Sequence, residues 1–365
     1  MVKHIASESY TITKKEYCKR CPSIKTEINW YDLPSNKLIQ LDNGFQKKIM
    51  NNWKKLPYGF KKKKAKIIGL TYAQINLLSK LKSNFTVGSL KRLTDTEKIS
   101  YDTLNSYISG FGRRRVIYSP KFPFRMSSHE GIGFRSIINS EGHISKQIGR
   151  SVMVRVPERQ MLKDVITFSK NIFGDFSVEI KKTKDKNTYE VFLPGEIGDI
   201  LVISGLTRGR KSLKNPFVPI DVMNGSLDKK RTYLQWSFAG EMECSNKIIK
   251  LTRNVNVSHL LSDVYKRNLK FGANFKNNMP ADILKNLSNH PPWLLIGEAL
   301  LLEDFGINRK PYLRSLWKHK NGEVSAAWAI TITNKKEMGI LLHHIGLPLF
   351  EKRTKVKQTL LSYVR

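Results

Sequence analysis

The chain has 365 residues, 40% of them hydrophobic, and carries 64 Lys and Arg against 30 Asp and Glu, a formal net charge of +34. That length and apolar content give two or three domains with sizeable cores and exclude a disordered chain. A cationic excess this large repels itself in the compact state, so it favours a polyanionic partner over a role in mere solubility. Only three cysteines are present, Cys18 and Cys21 in a C-x-x-C and Cys244 alone. No second C-x-x-C and no paired His follows at finger spacing, and His4 alone completes no zinc pattern, so all three read as reduced thiols. Met1–Tyr10 has no apolar run or signal-peptide layout, and the longest apolar stretch, Trp293 to Leu302, is interrupted by Gly297 and Glu298 and is too short to span a membrane. The expectation is a cytoplasmic, nucleoid-associated protein with no membrane partner.

Residues 1–66 form an N-terminal basic segment. Trp30, Tyr31, Leu33, Leu38, Ile39 and Leu41 suggest a small packed element there. Lys54, Lys55 and the run Lys61 to Lys64 flank Pro57 and Gly59, which reads as a basic linker or arm. A charge run is ordinarily a solvated face, but this one adjoins a stronger signal and would also serve as a phosphate-contacting arm.

That signal occupies residues 67–118. Ile75, Leu78 and Leu81 share one helical face, Leu90 and Leu93 continue the spacing in a second short helix, and Ile99 sits in a turn. Ser100 reads as an N-cap, Tyr101 to Ile108 as a further helix, and Gly110 as its stop. Two short helices joined by a tight turn make a helix-turn-helix, whose nucleic-acid-binding residues would be Tyr101, Thr103 and Asn105, with Arg113, Arg114 and Arg115 holding phosphates behind them. The structural alternative is a three-helix bundle with no DNA role.

Pro120 and Pro123 mark a boundary, after which the chain repeats itself at residues 125–225 and 226–365. The first unit opens with Phe134 to Gly142, continues through the strand Val152–Val156 and an amphipathic helix from Pro157 to Phe173-Gly174, then two alternating strands around Lys184–Asn187 and a helical stretch from Gly195 to Leu206. The second opens with Leu234 to Met242, continues through a strand at Ile248 to Val257 and a helix from Pro292 to Phe305-Gly306, then strands Tyr312–Lys318 and Ser325–Thr333 joined through Asn321-Gly322, and a helix from Lys335 to Ile345. The second unit carries an insertion at about 258–290.

This layout resembles the LAGLIDADG homing endonucleases in their tandem form, over residues from about 125 to 365. The resemblance implies an α+β fold: a pseudosymmetric saddle of two αββαββα units, here preceded by a small helical helix-turn-helix domain. It also implies that each motif helix delivers one acid to the centre of the saddle, Glu141 and Glu241 in this chain, as the catalytic residues and the ligands of Mg²⁺. Two carboxylates sharing divalent metal between scissile phosphates suit such chemistry, since Mg²⁺ takes few protein ligands and keeps waters or phosphates in its shell. The basic strands would grip double-stranded DNA through Lys146, Arg150, Arg155, Lys182, Lys184, Lys250, Arg253, Arg314, Lys318 and Lys320, with Lys318 or Lys320 as the basic group polarising the site.

The motifs depart from the family pattern. Where two helix backbones should touch, the chain has Ser136 and Trp236, and Trp236 would force the helices apart or rotate out. Asn139 and Ala239 replace an acid, and Met242 replaces a glycine, with Glu243 directly behind it. The reading is a monomeric, site-specific DNA endonuclease. The alternatives are a LAGLIDADG-like transcription regulator that binds DNA without cutting, which Trp236 and Met242 favour, and an RNA-binding splicing factor.

Overall fold

The computed structural model describes residues 12–147, 150–183, 188–245 and 247–363. Lys184, His4 and Met1–Tyr10 lie outside the described residues.

Helix α1 (Lys14–Arg20) and strand β1 (Glu27–Ile28) lead into a front body. Its elements are β2 (Leu38–Leu41), α2 (Asn43–Lys54), α3 (Tyr58–Ile67), α4 (Tyr72–Ser79), β3 (Phe85–Thr86), α5 (Val87–Glu97), α6 (Tyr101–Asn105), β4 (Ile108–Phe111) and β5 (Ile117–Tyr118). The strands form one antiparallel sheet in the order β3-β2-β4-β5, while β6 (Phe124–Arg125) pairs with β1. Thr71 and Thr86 cap α4 and α5 with reciprocal bonds to Gln74 and Ser89, and Lys98 ends α5 in the left-handed region.

Two readings of this region change. The basic run is no linker: Pro57 stands at the N-cap and Lys61 to Lys66 continue as α3, because Lys and Ala are good helix formers once Pro has set the first turn. The helix expected from Tyr101 to Ile108 ends at Asn105, and Ile108 and Gly110 lie in β4, Gly110 opposite Tyr118. β-branched Ile108 and aromatic Phe111 bury themselves in a sheet instead of extending a short helix. Tyr101 turns inward, stacking on Tyr31 at 5.0 Å and bonding Asp95 at 2.7 Å. It is no base-reading side chain in this arrangement.

The next two stretches repeat one order of elements. The first runs α7 (His129–Glu141), β7 (Gly142–Ile144), β8 (Val152–Val156), α8 (Arg159–Phe173), β9 (Glu179–Lys182), β10 (Tyr189–Leu193) and α9 (Gly195–Ile203). Short helices α10 (Lys211–Lys214) and α11 (Ile220–Met223) connect it to the second. That runs α12 (Leu227–Glu241), β11 (Met242–Ser245), β12 (Ile248–Asn256), an insertion with α13 (Asp263–Asn268) and α14 (Ala281–Ser288), then α15 (Trp293–Glu303), β13 (Tyr312–Lys318), β14 (Val324–Ile332), α16 (Lys335–Ile340) and α17 (Phe350–Leu361). The two sheets have matching strand orders, β7-β8-β10-β9 and β11-β12-β14-β13. Between α16 and α17, Leu341–Ile345 makes a π turn, and the carbonyls of His344 and Ile345 accept from Arg231 and Gln235 of α12.

Helices α7 and α12 pack on each other at the centre. Trp236 neither spreads them nor rotates out: it is buried at 5% exposure, edge-on to Phe168, over Gly133. Gly133, one turn before the position where the family pattern wants a small residue, supplies the missing space. Ser136 Oγ donates to the Tyr233 carbonyl at 2.6 Å, and Asn139 Nδ2 donates to Tyr233 Oη at 2.9 Å. Arg135, fully buried, forks onto Asp221 at 2.9 and 2.6 Å and ties α7 to α11.

The front body is built into the first unit. One continuous core runs from Ile28 to Leu206, Tyr118 exchanges backbone hydrogen bonds with Asp175, and buried Lys37 pairs with buried Asp199. The second core belongs to the second unit, and α1 inserts Tyr17 into it between Phe217 and Trp293. No helix among the described residues is long and apolar enough to cross a membrane.

A Cβ on Gly133 would fall 2.9 Å from the Trp236 ring, whereas one on Gly59 meets nothing within 4 Å. Gly133→Ala is therefore expected to lower stability by about 1–3 kcal/mol in urea unfolding. Gly59→Ala should leave it level or raise it by about 0.5–1 kcal/mol. Equal effects would show that the helix contact is not as close as described.

Candidate nucleic-acid interface and the acid pair beneath it

Because α7 and α12 both end where their first strands begin, their last residues, Glu141 and Glu241, meet. The Glu141 carboxylate lies over Gly240: a Cβ there would come within 3.0 Å of its Oε1. Burial and then the charge of Glu241 push Glu141 up to about 7.

Cations converge on the same place. The Lys211 ammonium caps the end of α7, donating to the carbonyls of Ile138 (3.3 Å), Asn139 (2.9 Å) and Ser140. Burial and then Arg253 pull Lys211 down to about 8. Lys352 of α17 donates to the Met242 carbonyl at 2.5 Å, where α12 passes into β11. The two lysines hold corresponding places, each returning from the segment after its unit's closing helix to the end of that unit's central helix.

Arg253 of β12 is the third cation. It is 6% exposed and faces the helices, with Nη1 3.1 Å from Glu241 Oε1 and Nη2 2.5 Å from Glu298 Oε1. Nη2 also reaches Ser237 at 2.6 Å and Ser140 at 3.2 Å. Burial works against its charge, but Glu298 and Glu241 outweigh that and raise it. Glu298, fully buried in the apolar helix α15, is the residue that sequence reasoning missed, as it missed Lys211 and Lys352. A lone acid in the run Trp293 to Leu302 was the available signal, since a buried carboxylate requires a partner. A cleft of about 270 Å³ opens beside the group, lined by Asn139, Arg210, Lys211, Glu241, Arg253 and Asn254 among others.

The remaining predicted contacts divide by position. On the outer face of the first sheet Arg155 pairs with Glu190 at 2.5 Å, and Lys182 is exposed at the sheet edge. Lys146 and Arg150 are exposed in the loop between β7 and β8. On the second sheet Lys250 lies between Glu243 and Thr331 in register, and Arg314 bonds Glu243 at 3.0 Å and Thr252 at 3.2 Å. Ala327 and Ala329 form a low lane down the middle of this face, flanked by Thr252 and Asn254 on one side and Tyr312 and Arg314 on the other.

Several candidates sit elsewhere. Arg253 is under the sheet instead of on its outer face. Lys318 donates to the carbonyls of Arg267 and Leu269 in the insertion, and Lys320 lies 5.8 Å from the Phe271 ring centroid, so neither is the basic group beside the acids. Arg115 is spent on Glu179 and the Phe192 carbonyl, whereas Arg113 and Arg114 are exposed. On α6 only Asp102 and Thr103 face out, and Asn105 is half-buried. The C-x-x-C is a packing element: burial raises both thiols, Cys21 to about 12, and Cys21 Sγ points at the carbonyls of Tyr17 and Val218.

The donor set does not fit the divalent ion that the resemblance implies. Glu241 is held by Arg253, Glu298 is spent on the same guanidinium, and the carbonyls ending α7 already face an ammonium. Among the described residues no group of three His, Cys, Asp or Glu is placed to hold a metal. A dication brought to Glu141 and Glu241 would meet Lys211 and Arg253 at once, and the like-charge repulsion opposes it.

No family model matches the chain, and no curated protein does. Among solved structures it is similar to full-length DUF199/WhiA from Thermatoga maritima at 12% identity and a TM-score of 0.35, covering 65% of this chain and 61% of that one. The chain thus spans about three fifths of that relative's length. It is similar to mesophilic variants of the homing endonuclease I-DmoI at 11% identity and a TM-score of 0.34, covering 61% of this chain and 96% of that one. The complex of I-DmoI with DNA and Mn also scores 0.34, at 11% identity, over 61% of this chain and 98% of that one.

Glu141 sets a stability signature. Its folded value of about 7 lies above the ordinary 4.5, so the fold holds an extra proton between those values and loses stability as pH rises through them. Glu141→Gln should therefore match the wild type in Tm near pH 4.5 and exceed it at pH 8. A gap that shrinks with rising pH would contradict the burial described.

Proposed function

We propose that this protein binds double-stranded DNA across the outer faces of its two matched sheets, which together form a saddle, and that it does so without cutting. The observation that carries the reading is the set of resident cations at the acid pair: Arg253 between Glu241 and Glu298, Lys211 on the carbonyls ending α7, and Lys352 on the Met242 carbonyl at the end of α12. The net charge of +34 supplies the attraction. Exposed Lys146, Arg150 and Lys182 would meet phosphates, while Thr252, Asn254, Tyr312 and Arg314 beside the alanine lane would face base edges.

A second reading, site-specific endonuclease, is favoured by the meeting of Glu141 and Glu241 at one point and the rise of Glu141 to about 7, which a divalent ion would relieve by replacing the proton. On that reading Glu141 and Glu241 would hold a divalent ion, which would supply Lewis-acid chemistry at a phosphodiester, and Lys211 and Arg253 would neutralise charge on phosphate.

Two measurements separate the readings. Duplex affinity of the wild type should fall by orders of magnitude between roughly 50 and 200 mM salt and should be no tighter in Mg²⁺ than in EDTA. A flat salt response would defeat DNA binding altogether. Supercoiled plasmids carrying randomised sites should remain uncut in Mg²⁺ or Mn²⁺. Linearised product that disappears in both Glu141→Gln and Glu241→Gln would establish the endonuclease instead.

A further inference from the structure

From Asn43 to Thr94 the sequence contains thirteen Lys or Arg and no Asp or Glu, over a third of the chain's net charge in one seventh of its length. Helices α2, α3 and α4 fold this stretch into one body. Its cations are displayed outward: Lys47, Lys48, Lys54, Lys55, Lys62, Lys63 and Lys66 are exposed. Lys64 is drawn in, pairing with Glu97 and lying 4.8 Å from the centroid of buried Trp53, and Lys61 and Lys91 are half-buried.

Among these lysines stand large apolar side chains open to water. Tyr58 is 62% exposed and Phe60 66%, both in the first turn of α3, and Ile67 at its far end is 53% exposed. Tyr58 is braced edge-on by Tyr72 of α4 at 5.1 Å. Leaving a Phe in water forgoes about 1.5–3 kcal/mol of burial, so two exposed rings in the first turn of α3, on different sides of the helix within a cationic field, imply an occupant that is both flat-faced and anionic. Neither an acidic peptide nor a duplex supplies this, since stacked bases in a duplex hide their faces. An anionic membrane needs a broad apolar stripe, whereas α3 spans ten residues of which five are Lys.

We propose that the α2–α3–α4 face is a second nucleic-acid site, specific for single strands, in which Tyr58 and Phe60 stack on unpaired bases while Lys62, Lys63 and Lys66 hold the backbone. Aromatic stacking beside a basic groove is how strands without sequence preference are held. The site is separate from the sheets assigned to duplex DNA and does not depend on that assignment.

The test uses the full chain and 12-nucleotide oligomers of DNA and RNA carrying 2-aminopurine, with a hairpin duplex as control. Binding should quench 2-aminopurine, and Tyr58→Ala with Phe60→Ala should weaken single-strand affinity about tenfold or more. The duplex affinity of that variant should stay within about twofold of the wild type. Phe60→Trp should retain quenching and affinity, since the larger ring stacks as well. Replacing Lys62, Lys63 and Lys66 by Gln should lower the salt slope by roughly two. Whichever of DNA or RNA binds tighter identifies the source of the strand. Unchanged single-strand affinity in the double Ala variant, equal losses on single strand and duplex, or failure of Phe60→Trp to bind would each overturn the proposal. Both rings are exposed, so Tm should fall by no more than a few degrees in any variant, the loss tracing to the Tyr58–Tyr72 edge contact.

Discussion

The architecture depends on how closely two helices approach. α7 and α12 meet with Gly133 under the Trp236 ring and Gly240 under the Glu141 carboxylate, so at two levels one partner has no side chain at all. Between those levels the contact is polar, through Ser136, Asn139 and Tyr233. Each helix passes directly into its own sheet, so the helix contact fixes where both sheets sit and brings the two terminal acids together. A methyl group at either glycine would act on fold and site at once. In most proteins the core and the site tolerate change separately; here they share the same backbone contact.

The acid pair creates an electrostatic problem that the chain solves internally. Glu141, Glu241 and Glu298 lie beneath the sheets, where unpaired carboxylates are costly. Arg253 pairs with Glu241 and Glu298, while Lys211 and Lys352, held on the carbonyls ending the two central helices, lower the cost of ionising Glu141 without cancelling it. The solution is symmetric in its lysines and asymmetric in its arginine. In the registers of the two sheets Arg253 occupies the place that Val156 holds in the first unit, and Glu298 stands as far before Gly306 as Ile166 does before Gly174. One half thus has apolar residues at the places where the other has a buried ion pair bonded to both central helices through Ser140 and Ser237. Because removing one partner of such a pair strands the other in a dry site, it constrains the geometry more than it adds stability.

Much of the scaffold was legible in the sequence because it is written in local signals. Val152–Val156 and Tyr312–Lys318 are strands with the expected bounds, and the central helices end at Glu141 and Glu241. The turn at Asn321-Gly322 is present, but within a five-residue loop whose Asn321 side chain accepts from the Glu323 amide. What misled was context. Trp236 looked incompatible with close helices because its accommodating partner, Gly133, is a hundred residues away on another element. Arg253 alternates correctly for a strand, yet the inner face holds a carboxylate for it, which no period-two pattern reveals. Lys211 and Lys352 stand on segments beyond each unit's closing helix, whose return to the centre is a matter of tertiary folding alone.

The same geometry bears on what the acid pair does. A carboxylate intended for a metal gains from a surrounding that is open and acceptor-rich, so that the ion keeps a nearly complete oxygen shell. Here the acceptors nearest Glu141 are the carbonyls ending α7, and an ammonium already takes three of them. An ammonium with its proton weakly held, at about 8, still neutralises a helix terminus at ordinary pH and cannot polarise water as a dication does. The lysine therefore serves the helix end and the glutamate beside it, preserving the two-helix junction and the placement of both sheets. Catalysis would require Lys211 to yield those carbonyls to an ion, and the adjacent guanidinium of Arg253, fixed by Glu298, makes that exchange electrostatically unfavourable.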